Sequence, residues 1–238
     1  GNFMKALIKQ LTPPLFYNLI KKNVKPNLRF STYQEAILAC DQGAYENDDV
    51  VKVVVEKNLV YREQLKREPV FDLGSLRTLI ALGACNTGSR LNVIDFGGGG
   101  GYHYTLAKTI LGAKKSIRWH VVETTAMSHE AQKLADDKLK FFDNIQDAKN
   151  SLGEIDLVFT SGALQCCSDP LLYLKKLTDL NAPYLFMTRT PLCNGLSEII
   201  TTQASTLSSN GPGPLPQGFN DRIITYPITY VSKQKVED

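Results

Sequence analysis

The stretch DFGGGGG sets Asp95 two residues ahead of five consecutive glycines, Gly97 to Gly101. Glycine gives up more backbone freedom on folding than any other residue, so such a run marks a place where bare backbone is required. It follows the apolar stretch LNVIDF and leads into YHYTLAKTILG, which has helical spacing. A strand-to-helix turn of this kind carries backbone N–H groups and a helix N-terminus up to a ligand, and side chains there would block the approach. The alternative is a tight turn with no ligand. Spacing narrows the chemistry. The dinucleotide fingerprint G-x-G-x-x-G would put its third glycine at Tyr102, His103 or Tyr104, and a phosphate-binding P-loop would need its second glycine where Tyr102 stands. What fits is [D/E]-x-G-x-G-x-G, with Asp95, Gly97, Gly99 and Gly101 at the defined positions and Gly98 between them. An acid just before the glycines disfavours a pyrophosphate and suits a ligand with a cationic amino-acid end.

Other residues could complete such a site. Glu123, with Thr124 beside it, ends RWHVVET 22 residues after Gly101. An acid near this distance is expected at a nucleoside site; a solvated charge at a strand end is the alternative. Asp143 and Asn144 follow LKFF, where Asp143 suits the N-cap of the next helix. His103 starts the helix after the glycines and is a candidate general base; a histidine merely hydrogen-bonded at a helix start is equally compatible. Tyr102 and Tyr104 flank it, facing a cation or filling core. Arg189 in TRTP sits at a strand end, where it grips an anionic acceptor or pairs with a neighbouring helix. His120 and His129 lie away from strand ends and read as structural. Phe30 and Tyr33 read as core, with a lid over the ligand as the alternative.

These residues need elements to hold them. Up to about residue 88 the chain reads as helical: Thr32 and Glu35 make a capping box, VVKVVVEKNLVYREQLKRE has helical length and i,i+4 pairs, and LGSLRTLIALGAC follows. From about residue 89 short apolar runs alternate with helices of about ten residues, through SIRWHVVET, LKFF, IDLVFTSGAL and PYLFMTRT. That grammar predicts an α/β fold with a doubly wound, mostly parallel sheet, and ligands outside the carboxyl ends of its strands. The division is an N-terminal helical cap, 1–88, and a Rossmann-like domain, 89–238. Beyond Thr190 the pattern decays; RIITYPITYV suits a strand, and SKQKVED begins as a helix capped by Ser232.

The whole chain sets bounds. Its 238 residues carry 27 Lys and Arg against 24 Asp and Glu, a net charge of +3 with no global nucleic-acid signature. Five cysteines, an odd number with no CxxC, argue against a disulfide framework or a zinc site, so no metal is expected, and reduced thiols suit the cytoplasm. The segment MKALIKQLTPPLFYNLIKKNVK is basic and partly amphipathic. Pro13 and Pro14 break its face, which favours a docked helix over a weak contact with an anionic membrane surface.

The acidic glycine motif and the strand pattern from Asn92 to Thr190 resemble class I S-adenosylmethionine-dependent methyltransferases. The resemblance implies S-adenosylmethionine as cofactor, Glu123 on the ribose hydroxyls, Asp143-Asn144 near the adenine, and Ser161 and Gly162 of IDLVFTSGALQCCSDP lining the cofactor. Gln165 falls where many members carry histidine. STYQEA, DFGGGGG, SGALQ, DP and TRTP together resemble a subgroup associated with bacterial surface-polysaccharide gene clusters, which implies a sugar or glycan-linked acceptor; the function expected is a methyltransferase acting at oxygen on a small-molecule or glycan-linked acceptor. A terminal antiparallel hairpin usually follows the fifth strand through a helix; SKQKVED ends the sequence inside that helix, so the hairpin is expected to be missing. A cofactor-binding protein without transfer activity is the first alternative. A nicotinamide-dependent oxidoreductase, lacking its third glycine, is the second.

Overall fold

The computed structural model describes residues 28–68, 72–85 and 87–238. The basic N-terminal segment, and with it the membrane-surface contact, lies outside the described residues. Strands β1 Arg90–Phe96, β2 Ser116–Val122, β3 Leu139–Phe142, β4 Leu157–Ser161 and β5 Tyr184–Thr188 form one sheet in the order β3-β2-β1-β4-β5. Every neighbouring pair is parallel. Both faces are covered, which is why the strands read as continuous apolar runs. Leu91, Val93, Trp119, Val121 and Phe159 point to one side, and Ile94, Phe96, Val122 and Val158 to the other.

Helices α1 Tyr33–Leu38, α2 Asp48–Arg67, α3 Leu73–Ala84, α4 Tyr102–Leu111, α5 Thr125–Ala131, α6 Ile145–Leu152 and α7 Pro170–Thr178 connect or flank the strands. Thr32 caps α1 by accepting from the Glu35 amide, while Glu35 reaches back to the amide of Ser31 rather than of Thr32. The valine-rich α2 is helical as its length predicts, capped by Asn47. Its Val50, Val51, Val53, Val54 and Val55 are all buried. They belong to the same core as Val93 and Trp119, so the boundary near residue 88 does not separate two cores. Helices α2 to α5 contribute to the core on the Trp119 side, and α6 and α7 to the core on the other.

Beyond β5 the structure departs from the expectation. The chain turns at Arg189 and builds a second sheet from β6 Leu192–Cys193, β7 Ile199–Thr206 and β8 Ile223–Ser232, in the order β6-β8-β7. The β7–β8 pair is antiparallel from Ile199↔Tyr230 to Thr206↔Ile223. RIITYPITYV is the strand predicted, but its partner IITTQAST carries too many small polar residues to announce itself. This ribbon docks on the N-terminal part of the chain. The Phe30 amide donates to the Ile200 carbonyl at 3.0 Å. Asp41 Oδ2 accepts from the amide and hydroxyl of Thr225 at 2.8 and 3.0 Å, and Arg222 pairs with Asp49 at 2.9 Å. Ser232 caps the short helix α8 Lys233–Glu237, as predicted. Among the described residues no antiparallel strand joins the five-stranded sheet, and no helix is long and apolar enough to cross a membrane.

Candidate functional site

The strand order reverses between β1 and β4, so the crevice of this sheet opens at their carboxyl ends. The glycine loop lies there, and each glycine meets a neighbouring part of the protein. Gly97 has φ +75°, and a Cβ on it would lie 2.1 Å from the Cβ of Ala163, just beyond β4. A Cβ on Gly98 would lie 2.4 Å from Asp95 Oδ2, and one on Gly100 2.7 Å from Asn58 Nδ2 on α2. Gly101 has φ +82°, caps α4, and faces Leu139 rather than the crevice. The run therefore has internal steric reasons, in keeping with the tight-turn alternative, as well as any a ligand would give it. Gly97 to Gly100 nevertheless line a cleft of about 1150 Å³. That is at or above the roughly 300–1,000 Å³ of ordinary ligand pockets, which leaves room for two ligands side by side.

One half of the cleft suits a nucleoside. Glu123, at the end of β2, accepts from the Gly99 amide at 2.9 Å with Oε1 and from the Thr124 amide at 3.0 Å with Oε2. Each carboxylate oxygen keeps a second lone pair, enough for two ligand hydroxyls. Burial raises the Glu123 pKa, and the two amide hydrogen bonds oppose that rise. Thr124 caps α5 through its hydroxyl, which accepts from Met127. Asn144, not Asp143, is the N-cap of α6, accepting from the Asp147 amide at 2.8 Å. Asp143 is exposed at the cleft edge and touches the Thr125 hydroxyl at 3.4 Å. Ser161 and Gly162 line the same cleft from the end of β4.

Asp95 differs from its expected place. It is fully buried, does not line the cleft, and lies beneath Gly98. Its Oδ2 accepts from Trp119 Nε1 at 2.9 Å and meets His103 Nδ1 at 2.9 Å. Its Oδ1 is buried without a partner. His103 packs against the Phe159 ring at 4.6 Å between centroids and lines the cleft. A carboxylate at Nδ1 makes that nitrogen the donor and leaves Nε2 with its lone pair. Of its neighbours, Tyr102 bonds Ser75 and Asp72 at the start of α3, and Tyr104 is core. His120 is buried, with Nδ1 against the Ala148 carbonyl.

The other half of the cleft was not visible in the sequence as a unit. It gathers Tyr33 from α1, Tyr45 from the turn after it, Gln165 and Cys166 from beyond β4, Arg189, and Tyr226 from β8. Tyr33 donates to the Cys166 carbonyl at 2.9 Å, so it ties α1 to the sheet and lines the cleft. Phe30 serves as a backbone bridge to the ribbon. Burial pushes the Cys166 and Cys167 thiols up to about 12. At neutral pH they are protonated and poor nucleophiles. Among the described residues no cluster of His, Cys, Asp and Glu could hold a metal ion.

No protein-family model matches the chain, and no curated protein matches it. Solved structures do. A complex between the Haloferax volcanii Trm112 methyltransferase activator and a methyltransferase is matched at 19% identity and TM-score 0.35, over 63% of this chain and 59% of that one. The [4+2]-cyclase SpnF is matched at 12% identity and TM-score 0.37, over 58% of this chain and 48% of that one. A SAM-dependent methyltransferase from Aquifex aeolicus is matched at 15% identity and TM-score 0.35, over 71% of this chain and 98% of that one. The chain thus spans less than two thirds of the first two structures' own length.

Proposed function

We propose that this chain is an S-adenosylmethionine-dependent methyltransferase acting at oxygen on a small-molecule or glycan-linked acceptor. The observation that carries the reading is the hydrogen bond from Gly99 to Glu123, which joins the glycine loop and the acid of β2 on one cleft wall. The residues present fit the cofactor: bare backbone at Gly97 to Gly100 beside the methionyl end, Glu123 for the ribose, and Asp143 at the adenine edge. When bound, S-adenosylmethionine supplies a methyl group on a positively charged sulfur that leaves as the neutral thioether S-adenosylhomocysteine. The chain's own task is to align the acceptor oxygen and to take its proton. Alignment of this kind is worth about 7–11 kcal/mol. His103 Nε2 accepts the proton, adding about 10²–10⁴-fold, while the Asp95 carboxylate stabilises the imidazolium that forms. The five free cysteines fit a reducing compartment, the cytoplasm, and the resemblance to a polysaccharide-linked subgroup favours a sugar acceptor.

Calorimetry with S-adenosylhomocysteine tests the reading. Wild type should bind, and Glu123→Ala should bind more weakly by about 1.5–3 kcal/mol, the range for a hydrogen bond to a charged group. Stabilisation by NADPH instead of S-adenosylhomocysteine would favour the oxidoreductase. Binding without methyl transfer to any polysaccharide fragment would favour a cofactor-binding protein.

A further inference from the structure

We propose that the second half of the cleft is an acceptor subsite for a hydroxylated small anion, a carboxylate or phosphate monoester held by Arg189. The inference rests on the methyltransferase reading and names the acceptor class it leaves open. Four observations carry it.

First, Arg189 has φ +60°. A non-glycine residue in that region is strained, and such strain collects at sites that use it. Glycine or asparagine would make the turn out of β5 at lower cost, so the arginine side chain is what the position retains. Second, this exposed guanidinium makes no ion pair or hydrogen bond with any described residue, so the expected alternative of an ion pair with a neighbouring helix is not found. It lies over the bare backbone of Gly162, where a Cβ would come 3.4 Å from Arg189 Cζ. Third, Gln165 lines the same cleft at 8% exposure with its Oε1 buried and unpartnered. A buried acceptor in that state calls for a donor, and a ligand hydroxyl supplies one. Fourth, Tyr45 and Tyr226 meet edge to face at 5.4 Å and 84°, an aromatic corner against which a ring can lie. The Arg189 charge acts on Tyr45, Tyr226 and Cys166, opposing the pKa rise that burial imposes on each, which places it at this corner. Glu46, an acid of the cleft, acts on Glu123 and Tyr33. An arginine fork on a carboxylate or phosphate, a hydroxyl on Gln165 and a ring on the tyrosines is a complete recognition set.

The test titrates protein loaded with S-adenosylhomocysteine with glucuronate, glucose 1-phosphate and glucose by calorimetry. At least one anionic sugar should bind tenfold or more tightly than glucose, and which one does so separates carboxylate from phosphate. Arg189→Gly should abolish that preference, leave S-adenosylhomocysteine affinity unchanged and raise the melting temperature, because glycine relieves the strained turn. No anion preference in wild type, or an equal preference in Arg189→Gly, overturns the subsite. Failure of S-adenosylhomocysteine to bind sinks the methyltransferase reading alone; the anion titrations are then read on the unloaded protein by the same criteria.

Discussion

At the scale of single residues, a carboxylate with no exposure shares one oxygen between an indole and an imidazole. Leaving Asp95 charged there is costly unless each donor is well placed. Asp95→Asn keeps the shape but cannot hold both donors as the carboxylate does. Methyl transfer should fall by about 10²-fold or more, in line with loss of an oriented base, while S-adenosylhomocysteine affinity stays at the wild-type value. His103→Ala should match it in single-turnover assays; full activity in His103→Ala would remove the histidine as base. Glu123 makes a separate prediction. Its pKa is raised in the folded state, chiefly by burial, so the folded protein keeps a proton that the unfolded chain has lost. Stability of the unliganded protein should therefore fall as pH rises from the ordinary glutamate value through the folded one. Cofactor affinity should move oppositely, since the ionised carboxylate is the better acceptor. Melting curves with and without S-adenosylhomocysteine across that window check both signs, and Glu123→Ala should flatten both. Asp95, His103 and Glu123 stood out in the sequence by type and spacing. Their partners did not, because Trp119 reaches Asp95 from the neighbouring strand and His103 reaches it across the glycine loop.

Among the elements, the legible ones have strong periodicity or clear caps: the five parallel strands, α2, and α7 with Asp169 and Pro170 at its start. The β7–β8 ribbon was half legible, since β8 is largely buried and apolar whereas β7 is only partly buried along its length. The turn after β1 is a place where two elements touch through a single missing side chain. Gly97→Ala adds a methyl where Ala163 already stands and forces a positive φ on alanine. It should destabilise the protein by about 1–3 kcal/mol or more, the range for a strained backbone or an overpacked core. Combining it with Ala163→Gly should recover the part due to the clash and leave the part due to the backbone. Denaturant melts of the two variants separate these contributions.

For the whole molecule, the cleft is assembled from segments far apart in the chain. The half proposed for the cofactor comes from the central strands. The half proposed for the acceptor needs the turn around Tyr45 and the β7–β8 ribbon, joined by Asp41 and Thr225 across 184 positions. Asp41→Ala removes the acceptor of two of those bonds and should loosen the ribbon at a cost of about 1–2 kcal/mol, near the net worth of such exposed bonds. Hydrogen exchange should quicken in Ile223–Ser232 while the amides of β1 and β4 keep their protection; equal loosening of both would show that the ribbon and the sheet unfold as one unit.

The 184-position clasp between Asp41 and Thr225 also imposes an order of events during synthesis. Everything proposed to hold the sulfonium and its nucleoside has been translated by Gly162, whereas the far wall waits for some sixty further residues, through Tyr226. On the proposed function, a nascent chain emerging from the ribosome can thus be competent to capture a small-molecule donor, and be steadied by it, before it has anywhere to seat the molecule to be modified.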